Sequence, residues 1–535
     1  MTSEPGRSED AAKLRKSVTK AAGSVGLATM FSRVTGFLRD MLIAHLFGAR
    51  EVADAFFMAF RIPNLLRRFT AEGALTAAMV PVFTQKLAQS RQEAFDLARN
   101  LLTIMAASIS ALVVLGMIFM SLIIMVIAPG FYSEPEKFAL TVDLSRLMFP
   151  YLLLISMAAA LMAMANSMGK FFIPALAPVL LNISIILCAF LTHSMFAAPV
   201  TSLAVGVLVG GVLQLAMQYH QAVKLGFSYR PRFDLRDKDT RKIGSLMVPA
   251  ALGVAAVEIN LIVDSMLASL LPHGSVSYLY YGIRVVQLPM GVFGAAMSLA
   301  TLPAMSGQVT ADGSKGRLVD IFSHAARISF LVSIPAAAGL ILLSDPITNL
   351  LFERGQFDQA ARDGAAYAMS MFAIGLPGLN GIRIVANVFY SLKDTATPAK
   401  VAGWCVLANI ALSLALIGPM AHGGLALATS LASFINISVL VWLLRKRVGL
   451  LDGRRITLAT FKITMASALM GAAAWAYCHL FYNYSAPFLH RAFHLSAAIT
   501  MAMVVYVAAL RLMKSEEVAE LWQMAQAKLA RRKTQ

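Results

Sequence analysis

Charged residues are scarce in this chain. Only 14% of its 535 residues are Asp, Glu, Lys or Arg, 58% are hydrophobic, and the mean hydropathy is +0.70. A soluble domain is about 25% charged and roughly 45–50% apolar. The charges are too few to clothe a soluble core of this size, so lipid solvates most of the protein. Cysteine is nearly absent as well. Cys188, Cys405 and Cys478 fall inside apolar stretches without metal-ligand spacing, which excludes a disulfide framework or thiolate centre and leaves small buried hydrophobes. A cleavable leader is also missing from the pattern. About the first twenty residues are polar, and the first apolar segment carries Arg33, Arg39 and Asp40, so it is expected to be a retained helix. Acidic residues are outnumbered, 28 against 46 Lys and Arg, for a net charge of +18. The basic residues sit mainly in short connectors, where membrane topology explains them, so no nucleic-acid partner is expected.

What is present is a series of long apolar runs. Residues 101–130, 171–223 and 401–444 contain no Asp, Glu, Lys or Arg. A membrane helix needs about 20 apolar residues and satisfies its own backbone, so such runs read as helices. The second and third runs are long enough for two spans each and divide at His193 to Pro199 and Gly418 to Gly424. The same rule along the chain predicts an all-α polytopic protein with fourteen spans: 23–47, 53–86, 97–128, 140–168, 173–195, 199–223, 243–271, 275–308, 320–351, 361–392, 397–418, 423–444, 459–482 and 489–512. Alternate connectors, from Lys13–Lys20 through Lys86–Arg99, Lys170, Arg230–Lys242, Lys315–Arg317, Lys393–Lys400 and Arg445–Arg455 to Lys528–Lys533, hold the positive charge. The positive-inside rule then places both termini in the cytoplasm.

The chain also repeats. Arg39-Asp40 aligns with Val263-Asp264, Phe56-Phe57 with Tyr280-Tyr281 and Pro174 with Pro398, all at a shift of 224. Val80-Pro81 aligns with Leu302-Pro303 at 222, which needs a small indel. Duplication predicts a lobe of six helices at 1–235, a second at 236–450, and two further helices with a basic tail at 451–535. An even number of spans per lobe makes the repeats parallel, with a substrate cavity expected between them.

Ionisable groups inside spans are costly and normally face a cavity or a partner. The first two spans hold Arg33, Arg39, Asp40, Asp54, Arg61, Arg67, Arg68 and Glu72, five arginines against three carboxylates. The surplus implies an anionic guest. Arginine rather than lysine points to phosphate, because the planar guanidinium presents forked donors and stays charged where the dielectric is low. Arg33 and Arg39 lie about 9 Å apart along a helix and roughly 120° around it. Long side chains and a bend at Gly36 would bring both into one cavity. An interruption of the second span at Pro63, beside Asn64, would expose further polar backbone there. In the second lobe Glu258, Asp264, Arg284 and Arg383 lie in spans. Glu258 and Asp264 fit coupling-ion ligands, proton carriers or counter-ions of Arg284 and Arg383 equally well.

These residues carry a family resemblance. Phe31-Ser-Arg-Val-Thr-Gly-Phe-Leu-Arg-Asp40, Asp54-Ala-Phe-Phe57, Pro63-Asn-Leu-Leu-Arg-Arg68 and Ala71-Glu-Gly-Ala74 resemble the N-terminal signature of the MurJ (MviN) lipid II flippases. The likeness continues through Phe171 to Asn182, Tyr280-Tyr281, Phe389-Tyr-Ser391 and Thr397-Pro398. It implies the fold of the multidrug/oligosaccharidyl-lipid/polysaccharide exporter superfamily in a bacterial inner membrane. The last two helices would form a groove for a polyprenyl tail. It further implies alternating-access transfer of undecaprenyl-diphosphate-linked peptidoglycan precursor from the cytoplasmic to the periplasmic leaflet. Arg33, Arg39, Arg67 and Arg284 would face the diphosphate, and Asp40, Asp54, Arg68 and Glu72 would be gating or structural partners.

The chain departs from some relatives at the arginine of the eighth span, where Ile283 and Gln287 stand in place of acids. A gating salt bridge made by those acids elsewhere is not expected here, and the cavity is more positive. The eleventh span offers Asn409 where some relatives carry an Asp that could help bind sodium, so no coupling ion is assigned. No cofactor, metal or catalytic residue is assigned either. Two rival readings predict different residues. An exporter of organic cations would favour an acidic cavity. A membrane glycosyltransferase commonly carries an acidic metal motif or a soluble catalytic loop, whereas connector 224–242 has Asp234, Asp237 and Asp239 among basic residues without a histidine and reads as a solvated linker.

Overall fold

A computed structural model describes residues 5–68, 74–306 and 315–520 with positions 523 and 526, and places side chains outside 5–25, 74, 250–257, 292–306 and 315. Among these residues the secondary structure is helical, with no strand. In a bilayer this follows from the need of every backbone polar group for an internal partner.

Two compact units divide the chain, one of residues 1–47 and 51–259, the other of 48–50 and 260–535. The first contains α1 (Pro5–Phe47), α2 (Glu51–Arg67), α3 (Ala74–Gln89), α4 (Arg91–Ile118), α5 (Met120–Ile127), α6 (Pro135–Met148), α7 (Tyr151–Ser167), α8 (Phe172–Thr192) and α9 (Thr201–Lys224). The division runs through α10 (Lys238–Ser269). The second continues with α11 (Ser275–Ser306), α12 (Lys315–Leu342), α13 (Ser344–Leu351), α14 (Gln359–Ile374), α15 (Leu376–Ser391), α16 (Ala396–Val448), α17 (Gly453–Phe481) and α18 (Phe488–Leu512).

The described residues of each expected span lie on one helix or on two consecutive ones. Among the described residues, nine helical stretches are long and apolar enough to cross a membrane by length and composition. Spans 23–47, 53–86, 243–271 and 275–308 are not among the nine; the first two carry the concentrated charge. The long apolar runs divide where turn residues predicted. A 3-10 turn at His193–Met195 separates α8 from α9, and α16 breaks at Ala421 (φ 48°, ψ −131°) just after Pro419. The break expected at Pro63 does not occur, because α2 continues through it to Arg67. A proline removes one helical hydrogen bond, and membrane helices tolerate that loss where neighbours compensate.

Small residues allow close backbone packing in the first unit. A Cβ on Gly206 would lie 2.7 Å from Ile185 Cα and one on Gly210 2.9 Å from Leu181 Cα. This stripe, four residues apart, lets α8 and α9 approach through their backbones, the usual source of helix association where lipid gives no hydrophobic drive. In the second unit α17 and α18 pack on α12 and α13, through Leu331, Ile463, Ala466 and Leu510 and through Leu343, Met470, Cys478 and Leu495. The turn between α17 and α18 is tied down by Tyr482, which donates to Pro346 O at 3.1 Å and Asn349 Oδ1 at 2.8 Å, and by Arg491, which donates to Asn349 Oδ1 at 3.0 Å. Cys405 and Cys478 are buried and Cys188 is half-buried, all as free thiols.

The connector before α16 is built around Asp394, which accepts from Thr397 Oγ1 at 2.6 Å and Thr397 N at 2.9 Å and pairs with Arg447 at 2.6 Å. The Thr397 hydroxyl and backbone N–H, helped by the Arg447 charge, hold this carboxyl below the usual range.

Candidate functional site

The charged residues of the first unit separate into three settings. Arg39 is buried on α1. It donates Nε and Nη2 to Asp40 Oδ1 at 3.0 and 2.7 Å and Nη1 to Asn182 Oδ1 at 3.0 Å, and its guanidinium lies 6.0 Å from the Phe60 ring centroid. Asn182, on α8, is itself held by donating Nδ2 to Ser32 O at 3.1 Å and Thr35 Oγ1 at 3.2 Å. Gly36 makes room for this amide, since a Cβ there would meet Asn182 Nδ2 at 3.3 Å. Helix α1 runs unbroken through Gly36, so this glycine serves a close approach rather than the bend expected of it. Arg33, six residues earlier, is exposed and makes no hydrogen bond or ion pair among the described residues. Arg33 and Arg39 therefore stand in different surroundings, one open and one engaged.

The second setting is the start of α2. Asp54 is buried and lies 3.5 Å from Lys137 Nζ of α6, which sits 4.1 Å from the Phe131 ring centroid and 3.8 Å from Glu134. Lys137 falls in the connector before the span expected at 140–168. Its burial was invisible because it lies only two residues into α6, at the edge of an apolar run.

The third setting is the end of α2. Half-buried Arg67 donates Nε to Asn64 Oδ1 at 3.3 Å. Arg68 reaches Glu258 of α10 at 2.6 Å, with 48% of the arginine side chain exposed against 4% of the glutamate. Among the described residues the second oxygen of Glu258, Oε2, is buried without a hydrogen-bond partner. The partner of Glu258 is thus Arg68, not Arg284 or Arg383. Glu72 lies outside the described residues.

In the second unit Arg284 is half-buried, donating Nη2 to Tyr280 Oη at 3.1 Å and lying 5.3 Å from that ring. Ile283 beside it is half-buried and Gln287 exposed. Arg383 is half-buried and donates Nη1 to Met290 O at 3.4 Å. Asp264 belongs to a polar chain across α10 and α16: Asn260 Nδ2 donates to Asp264 Oδ2 at 3.3 Å, Asn409 Nδ2 to Asn260 Oδ1 at 2.9 Å, and Ser413 Oγ to Asn409 Oδ1 at 3.2 Å. Asn409 had been singled out as a polar ligand in its span. Its partnership with Asn260 had not, because an isolated asparagine in an apolar run carries no partner signal. An open groove of about 670 Å³ on α17 and α18 is lined by Tyr477, Phe493, Ser496, Thr500, Met501 and Val504.

Known proteins resemble this chain over most of its length. A family profile described as lipid II flippase MurJ matches residues 43–496. A probable lipid II flippase MurJ of Rickettsia prowazekii is 32% identical, over 91% of this chain and 96% of its own. A second, of Vibrio cholerae, is 33% identical over 93% and 96%. Among solved structures, a lipid II flippase MurJ in an inward closed conformation matches with TM-score 0.77 and 26% identity, covering 91% of this chain and 99% of its own. An inward-facing multidrug resistance MATE family transporter of the MOP superfamily matches with TM-score 0.64 and 15% identity, over 80% and 96%. At that identity the likeness speaks for the fold alone.

Proposed function

Since the chain belongs to the MurJ family of lipid II flippases, we propose that it translocates undecaprenyl-diphosphate-linked peptidoglycan precursor from the cytoplasmic to the periplasmic leaflet by alternating access. The observation that carries this reading is the family match across residues 43–496. We assign it to the bacterial inner membrane, with fourteen spans, both termini cytoplasmic, and duplicated lobes at 1–235 and 236–450 followed by 451–535. It acts as a transporter and not as an enzyme.

The substrate's diphosphate is the group the arginines would read. Arg33 is the open donor, exposed on α1. Arg39 acts by exchange, because a diphosphate oxygen reaching it competes with Asp40 and Asn182 for donors already in use. Arg67 and Arg284 complete the set, and the neutral side chains of Asn64 and Tyr280 are among the acceptors they hold. A neutral acceptor lacks the charge attraction and forked geometry of a carboxylate, so these contacts yield to phosphate more readily than Asp40 does. Asp40, Asp54, Arg68 and Glu72 take gating or structural roles around these donors, Asp40 bonded to Arg39, Asp54 beside Lys137 and Arg68 paired with Glu258. Glu258, Asp264 and Arg383 serve as coupling groups or as charge partners, the role Glu258 already takes toward Arg68. The polyprenyl tail would lie in the α17–α18 groove.

Orientation and function have separate tests. A cysteine placed at Phe196 is expected to react with an impermeant thiol reagent from the periplasmic side of intact cells, and protection there with reaction only after lysis would reverse the topology. The wild-type chain is expected to sustain growth of a cell depleted of its own lipid II flippase. Failure to do so when present in the membrane would contradict the assignment.

A further inference from the structure

The connector between α9 and α10, residues 225–237, is not a free linker. Arg91 donates to Leu225 O at 2.5 Å, and Arg99 donates to Ser228 O at 2.8 Å. Phe227 is buried against Phe95, ring centroids 5.7 Å apart. Asn100, itself buried, accepts from Asp234 N at 2.7 Å and donates to Asp234 O at 2.8 Å, the pairing a neighbouring strand would give. Thr103 Oγ1 accepts from Arg232 N at 3.2 Å and lies 3.1 Å from Tyr229 Oη.

These partners run down α4 from Arg91 to Thr103, about 18 Å at the helical rise. The charge-free run of α4 begins at Leu101. The part of the connector pinned at Thr103 therefore reaches the depth where the apolar span starts. There it turns outward Tyr229, Phe233 and Leu235, 38%, 62% and 56% exposed. Alternating with them are exposed Arg230 and Arg236, which have no ion pair among the described residues, and Arg232, paired with Asp96 at 3.3 Å. Residues 224–242 carry seven basic and three acidic side chains. Apolar side chains held outward on a fixed, basic segment at this depth match the interface of an anionic bilayer.

We propose that residues 229–236 form a lipid-binding lip, with Tyr229, Phe233 and Leu235 seated among the acyl-chain ends and Arg230 and Arg236 on the phosphates of anionic phospholipids in the cytoplasmic leaflet. The partner is the bulk lipid surface rather than one headgroup, because the side chains are spread along an extended segment and do not converge. The leaflet assignment rests on the orientation proposed above.

The test places a spin label on a cysteine at Phe233, and separately at Leu235, with Cys188, Cys405 and Cys478 replaced by alanine. The full-length protein is held in nanodiscs of phosphatidylcholine with or without phosphatidylglycerol. With anionic lipid the labels are expected at interfacial depth, colliding with oxygen more than with a water-soluble nickel chelate. The preference should shrink in phosphatidylcholine alone. It should also shrink in the Arg230→Gln/Arg236→Gln variant, whose inserted state should lose roughly 30-fold in population at about one surface charge's worth per arginine. Labels fully open to the chelate in every lipid would overturn the lip, and insertion independent of both lipid charge and the two arginines would overturn the anionic partner. Both leaflets of a nanodisc are alike, so these results do not depend on orientation. Reaction of the same cysteines with an impermeant reagent outside intact cells would instead overturn the leaflet.

Discussion

Arg39→Ala is expected to abolish growth of a flippase-depleted strain that relies on this chain, with the protein still inserted in the membrane though less stable in detergent. One guanidinium joins Asp40 on its own helix and Asn182 on α8 through three donors at 2.7–3.0 Å. A hydrogen bond to a charged group contributes about 1.5–3 kcal/mol, so the truncation removes several such contacts from a buried site. The conservative change should fall short of wild type. Arg39→Lys keeps the charge but lacks the planar fork that spans a carboxylate and an amide together, and it is expected to restore growth only in part. Arg33→Ala, which breaks no hydrogen bond or ion pair among the described residues, separates substrate binding from architecture. It should leave thermal stability in detergent unchanged while lowering transport. Normal growth on Arg39→Ala as the sole flippase would remove this arginine from the account.

Lys137→Met is expected to give the largest loss of stability. Lys137 and Asp54 are both buried, their side chains 2% and 1% exposed. Removing one member of such a pair leaves a charge out of water, at a cost of about 3–5 kcal/mol, whereas replacing both is often close to neutral. In detergent, Lys137→Met should lower the melting temperature markedly, and Lys137→Met/Asp54→Asn should recover most of the loss. A double variant as unstable as the single one would show that Lys137 contributes by packing on Phe131 rather than by its charge.

The fold was legible because membrane spans write themselves into composition. Charge-free runs, turn residues at His193 and Gly418, and basic connectors are local signals, and the helices follow them. Pairings across helices were less legible. Arg39 meets Asn182 143 positions away, and Arg68 meets Glu258 190 away. No periodicity links such residues, although Asp40 beside Arg39 was readable as a partner of arginines. Gly36 shows the same limit. A glycine in a charged helix suggested a bend, and only the position of Asn182 reveals that it clears space for an amide. The connector at 225–237 misled for the opposite reason, since its acids and arginines resemble any solvated linker until Asn100 and Thr103 are seen to hold it.

The central claim is leaflet transfer of lipid II, and the most direct measurement is leaflet-resolved lipid II in cells whose only flippase is this chain, during its depletion. The periplasmic pool is expected to fall and the cytoplasmic pool to rise as the protein disappears, and wild-type chain, but not Arg39→Ala, is expected to reverse both changes. An unchanged distribution after depletion would contradict the claim.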